Sequence, residues 1–211
     1  MAIFNSVLVG GARNSVDNIT MYESGGQRIA RRKPMKVKNP RTEKQLRQRA
    51  KMKFLSELSV GFLEVAAVGF ARRDARLSAA NAFVQANMGN VTVDEDFVAT
   101  MDYGLLACSA DKKLKRPLVA ATLSGSSLTF NLTAQEAWGS AKKDDQVYGV
   151  LFEEVAGESV LVALGTRGEE MSLPVDLPAE WAVENVHAYA FASSANGKRT
   201  SATTALEIAT E

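Results

Sequence analysis

Residues 39–62, NPRTEKQLRQRAKMKFLSELSVGF, read as a helix with both of its edges marked. Thr42 and Gln45 stand three apart as a capping box, in which the threonine hydroxyl accepts from the Gln45 backbone N–H and the glutamine side chain reaches back. Leu46, Ala50, Phe54, Leu58 and Phe62 then recur every four residues, with Leu55 beside them, as one apolar stripe. Lys44, Arg47, Lys51 and Lys53 fall mostly off that stripe, so the helix is expected to have a core face and a basic face. Pro40 holds Asn39 extended before the helix, and Gly61 and Gly69 are placed to interrupt or end it. A second helix is predicted from Ser78 as N-cap through Ala86, with Asn87, Gly89 and Asn90 as its stop.

Upstream of this helix, Asn18–Glu23 and Gln27–Arg31 flank Gly25-Gly26, which predicts a β-hairpin. Ile3, Phe4, Val7, Leu8 and Val9 precede a flexible Gly10-Gly11, and Lys33–Asn39 is read as an extended basic linker. Downstream of residue 90 the pattern turns to strands: Val91–Val93, Met101–Ser109, Leu118–Leu123, Ser127–Leu132, Gln146–Glu153, Ser159–Gly165, Met171–Val175, Val186–Ser193 and Thr200–Ile208. The last two are joined through Asn196-Gly197, a hairpin turn signal. The expected class is α+β: an N-terminal β-hairpin and helical module over 1–90, then an antiparallel immunoglobulin-like β-sandwich over 91–211.

The chain has 211 residues, 46% hydrophobic and 23% charged, enough apolar material for a sizeable core. Its net charge of +1 hides a strong asymmetry. Residues 1–76 hold 16 Lys and Arg against 6 Asp and Glu, and the rest hold 9 against 18. From Arg28 to Lys53 there are 12 basic residues and a single acid, Glu43. Such a segment calls for a polyanion or an acidic protein surface. The candidate contact residues are Arg28, Arg31, Arg32, Lys33, Lys36, Lys38, Arg41, Lys44, Arg47 and Lys51, with Arg49 and Lys53 beside them. Asp94, Glu95 and Asp96 are the expected acidic counterpart on a neighbouring copy.

No catalytic constellation or cofactor site is read from the residues. The single Cys108 excludes an intramolecular disulfide, and the single His187 excludes a multi-imidazole metal centre. Cys108 is read as a small buried hydrophobe, and His187 as a partly buried strand residue. The acid pairs Asp94/Asp96, Asp144/Asp145, Glu153/Glu154 and Glu169/Glu170 are read as solvated turns. Trp138 and Trp181 are expected to cover a sandwich edge. There is no phosphate loop and no dinucleotide fingerprint. No apolar run approaches the ~20 residues of a membrane span, and the N-terminal residues do not read as a signal peptide.

The residues Val9-Gly10-Gly11, Asn18-Ile19, Lys33-Pro34 and above all Asn39-Pro40-Arg41-Thr42-Glu43-Lys44-Gln45-Leu46, with His187–Phe191 and Asn196–Arg199, carry a resemblance. The chain resembles the roughly 200-residue proteins of a domain of unknown function frequent in Bacteroidetes and their phages. That family brings no established activity; its occurrence in phages implies a virion or assembly role. Three functional readings therefore stand. The first is a non-enzymatic bacteriophage structural protein, a connector, tail or ring-type oligomer, assembled through the basic arm and helix with its own copies and other particle proteins, in the virion or the bacterial cytoplasm. The second is a sequence-independent DNA-binding protein using the same segment. The third is a hydrolase or carbohydrate-binding sandwich.

Overall fold

The computed structural model describes residues 2–3, 14–34, 39–110 and 113–210. Strands β1 (Ala2–Ile3), β2 (Asn14–Val16), β3 (Ile19–Ser24) and β4 (Gln27–Arg32) form an antiparallel sheet in the order β1-β4-β3-β2. The central pair is the expected hairpin, in register from Ile19 opposite Arg32 to Ser24 opposite Gln27. Gly25 and Gly26 both take positive φ, 57° and 72°, which the tight two-residue turn demands. The Gly10-Gly11 pair lies outside the described residues, as does most of the basic linker. By packing, residues 1–43 with 74–76 make one compact unit, and 44–73 with 77–211 make another.

The second unit begins with α1 (Glu43–Gly61), which starts immediately after Thr42, then α2 (Leu63–Gly69) and α3 (Ala79–Asn87). The Ser78 side chain caps α3, accepting from the Asn81 backbone N–H at 3.1 Å. Strands β5 (Val91–Val93) and β6 (Ala99–Met101) pair as a short antiparallel ladder. Of the strand expected over Met101–Ser109, only Met101 is in a strand. Asp102 caps a 3-10 turn at Tyr103–Leu105, its carboxylate accepting from the Gly104 N–H at 2.9 Å. Asn87 holds the segment beyond: its amide donates to the Ala107 carbonyl at 3.0 Å and its oxygen accepts from the Ala107 N–H at 2.8 Å. One buried side chain thus satisfies backbone groups that a partner strand would otherwise take.

Eight strands follow: β7 (Val119–Ser124), β8 (Ser127–Leu132), β9 (Gln146–Glu153), β10 (Glu158–Thr166), β11 (Met171–Asp176), β12 (Val186–Ser193), β13 (Thr204–Leu206) and β14 (Ile208–Thr210). They form two four-stranded sheets, β10-β9-β12-β13 and β11-β8-β7-β14. The final run, expected as one strand from Thr200 to Ile208, is instead split between the sheets. β13 pairs antiparallel with β12, whereas β14 pairs parallel with β7, so the strands are not wholly antiparallel. Leu128, Phe130 and Leu132 of one sheet share a buried cluster with Val147, Leu151 and Ala188 of the other. Gly149 belongs to this contact, since a Cβ there would press on the Phe130 ring.

A second buried cluster lies on the other side of β9 and β12. There Val150, Phe152, Tyr189 and Phe191 meet Leu55, Leu58, Phe62, Val65 and Phe83 from the helices. Phe62 stacks on Phe83 with centroids 5.1 Å apart and tilts against Phe152 at 4.8 Å. The sheet is therefore apolar on both faces along β9 and β12, which is why these strands read as nearly continuous apolar runs. Helices and sheets together make the chain α+β.

Candidate functional site

The hairpin β3–β4 distributes its cations over two faces. Opposed residues of an antiparallel pair share a face, so Ile19, Met21, Glu23, Arg28, Ala30 and Arg32 stand on one side. Thr20, Tyr22, Ile29 and Arg31 stand on the other. Arg28, Arg31, Arg32 and Lys33 are all exposed. The Arg31 guanidinium lies 5.5 Å from the centroid of the Tyr22 ring, so the one aromatic of the hairpin is already covered by a cation. Among the described residues of this unit Ile29 is the sole buried hydrophobic side chain, while Ile19 remains 42% exposed. Lys36 and Lys38 lie outside the described residues.

On α1 and just before it, the basic residues divide differently from the expected two-faced helix. Arg41, Lys44, Arg49 and Lys53 are exposed, but Arg47 and Lys51 are half-buried. The reason is spacing: Arg47, Lys51 and Leu55 stand four apart, and Leu55 is fully buried. A strict four-residue apolar repeat drifts around a helix of 3.6 residues per turn, so the core face at Leu55 is not the face at Leu46. Arg47 donates to the Val93 carbonyl at 2.7 Å and its guanidinium sits 6.0 Å from the Phe97 ring centroid. It is a structural tie between α1 and the β5–β6 turn. That turn carries Asp94, Glu95 and Asp96, exposed, with Asp94 accepting from the Val98 N–H at 2.8 Å and Phe97 at φ 61°. The acids expected to face a neighbouring copy thus lie beside a basic residue of their own chain.

Elsewhere two carboxylates depart from the solvated-turn reading. Asp145 is buried, with Oδ2 accepting from Arg167 Nε at 3.3 Å and from the Lys142 N–H at 2.8 Å. Glu153 is also buried, and its carboxylate accepts from the Ala156 N–H in the β9–β10 turn. A polar cleft of about 560 Å³ opens beside Asp145, with Arg72, Lys142, Lys198 and Arg199 on its walls. No run of sequence signals it, because its cations come from three separate segments.

Cys108 is fully buried and burial pushes its thiol well above the usual range, which disfavours the nucleophilic thiolate. Tyr189 is pushed up likewise, mainly by burial, and its hydroxyl donates to the Tyr103 carbonyl at 2.9 Å. His187 lies on β12, half-buried, its Nε2 at 3.5 Å from Glu154 Oε2 and its ring 5.0 Å from that of Tyr103. Trp181 covers the core between the sheets as expected. Trp138 does not: it is 75% exposed, with the Lys115 ammonium over its ring. Among the described residues no three His, Cys, Asp or Glu side chains gather as a metal site, and no helix is long and apolar enough to cross a membrane.

A family model described as a family of unknown function matches residues 11–206. No curated protein and no solved structure matches the chain.

Proposed function

Since the chain belongs to the family of unknown function DUF6266, whose description names no activity, we propose its function from geometry: a non-enzymatic assembly subunit, of the kind that builds a virion ring, tail or connector, docking its basic N-terminal hairpin on another protein surface. The observation that carries this reading is the composition of the first unit. Its described residues bury one hydrophobic side chain, Ile29, and expose Arg28, Arg31, Arg32 and Lys33. A hairpin whose described residues bury a single hydrophobic side chain gains by packing on a further surface, and oligomerisation is a common source of such burial. Opposite potentials on the two parts of the chain would steer such docking and fix its register.

The same reading takes the two larger sheets as an immunoglobulin-like sandwich. In its favour, β11 returns to pair with β8 and β12 returns to pair with β9. Both are Greek-key connections, and they leave the first, second and fifth strands in one sheet and the third, fourth and sixth in the other.

Binding to duplex DNA through the same cations is the second reading. The Arg31–Tyr22 contact counts against it as a base-stacking platform, so phosphate contact alone would remain. Light scattering of the purified chain at low and high salt, with and without duplex DNA, separates the two. Assembly predicts a defined oligomer that loosens with salt and ignores DNA, and a monomer when Arg31, Arg32 and Lys33 are all changed to Glu. An oligomer unaffected by that triple reversal overturns the proposal. A salt-insensitive monomer that takes up DNA replaces it with the second reading.

A further inference from the structure

Where α1 ends against the β9–β10 turn, the surface forms a groove of about 610 Å³. Phe54, Glu57 and Val60 line it from the helix; Glu154, Val155 and Glu158 line it from the turn. Its chemistry is unusual for a solvated surface. Val60 is 67% exposed and Val155 79% exposed, and three carboxylates surround them; the exposed Lys53 ammonium lies 4.0 Å from Glu57 and the His187 ring nitrogen 3.5 Å from Glu154. Apolar side chains left open and ringed by polar groups mark an interaction site.

The groove is also held in shape. Gly61 approaches the Gly157 carbonyl so closely that no Cβ would fit between them. Ser159 Oγ donates to the Gly61 carbonyl at 2.7 Å, which fixes the helix end to the first residues of β10. On the opposite side Glu154 is anchored by its backbone N–H, which donates to the Asn185 carbonyl at 3.1 Å. A rigid receptor loses little conformational freedom on docking.

We infer that this acidic, apolar groove seats the basic hairpin of a second copy of the chain, through the hairpin face that carries Ile19, Met21, Arg28, Ala30 and Arg32. The inference rests on the assembly reading above and names its acceptor. The match is chemical on both counts. Ile19 is the exposed large hydrophobic of that hairpin face and stands directly opposite Arg32 in the ladder, so one apolar and one cationic group are offered side by side. Val155 and Val60 receive the first, and Glu57, Glu154 and Glu158 receive the second. The partner is another copy because the chain itself carries both halves, and a surface that fits a different patch of the same protein generates rings or filaments.

The test is sedimentation of the full chain at low salt with three variants. Glu57→Lys with Glu158→Lys should weaken self-association at least about tenfold, as should Arg28→Glu with Arg32→Glu, each charge pair being desolvated only in the contact. The quadruple variant, with both pairs exchanged, should associate again, which neither a misfolded hairpin nor a misfolded groove would allow. A wild-type chain that is monomeric at every salt concentration overturns this inference and the assembly reading together. A wild-type oligomer that the arginine variant breaks and the glutamate variant leaves intact overturns the groove alone. So does a quadruple variant that stays dissociated.

Discussion

Arg167 heads the largest side chains with no exposed surface, and its position explains why it is there. The guanidinium donates to Asp145 Oδ2, to Gln135 Oε1 at 2.8 Å, and to the carbonyls of Lys115 at 2.7 Å and Arg116 at 3.1 Å. Its own backbone closes the knot: the Arg167 N–H donates to the Asp145 carbonyl at 2.8 Å, and the Gln135 N–H donates to the Arg167 carbonyl at 2.9 Å. Burial lowers its pKa, and the charge and hydrogen bond of the Asp145 carboxylate act in the opposite direction. Removing one partner of such a pair leaves a buried charge without compensation. Arg167→Ala should therefore cost about 3–5 kcal/mol, read as a lower urea midpoint at unchanged slope. Arg167→Lys should recover only part of it, because a single ammonium cannot reach four acceptors held in a planar fork. In the sequence Thr166-Arg167-Gly168-Glu169 is an ordinary polar turn, and nothing local marks the arginine as buried.

Elements are placed by a few close approaches. The α1–α2 break at Gly61 was readable as an interruption, but its purpose lies in the far side of the contact, the Gly157 carbonyl. Gly69 makes the same kind of contact with the Cys108 carbonyl, bringing the end of α2 against the segment that follows the 3-10 turn. Gly61→Ala should destabilise the protein by about 1–3 kcal/mol, since backbone on both sides must shift to admit the methyl group. Gly89→Ala, where a Cβ meets nothing within 4 Å, should leave the melting temperature nearly unchanged. Equal effects at both sites would show that the close approach at Gly61 does not set the cost. The Met101–Ser109 segment teaches the same lesson from the other side. Its alternating apolar residues promise a strand, yet Asn87 and Tyr189 take its backbone groups from a distance in sequence.

For the whole molecule, the decisive fact is that β9 and β12 are buried on both faces. Helices α1–α3 pack on one face through Phe62, Val65 and Phe83, and the second sheet packs on the other through Leu128, Phe130 and Leu132. The helices are thus part of the core that the strands need. A fragment of residues 91–211 would expose Val150, Phe152, Tyr189 and Phe191, and should be insoluble or bind a hydrophobic dye. A fragment of residues 39–211 keeps that contact and should melt cooperatively, followed by circular dichroism. A soluble, cooperatively melting 91–211 fragment would show that the helices only decorate the sheet.

Local chemistry was enough for the sequence to determine the hairpin turn at Gly25-Gly26, the helix starts after Thr42 and Ser78, and strands β9 and β12 to the residue. Each of these is written in neighbouring residues: turn glycines, capping hydroxyls, runs of β-branched and aromatic side chains. The concentration of charge between Arg28 and Lys53 was equally legible. Only the tertiary structure decided which of those charges remain available. Arg47 and Lys51 turn toward the core because helical pitch, not the apolar repeat, sets the buried face. It also decided that the last strand divides between two sheets, that Asp145 and Arg167 are sealed together, and that carboxylates from α1 and the β9–β10 turn face one groove. Those outcomes depend on residues some twenty to a hundred positions apart, and no local pattern encodes contacts made by folding across that distance.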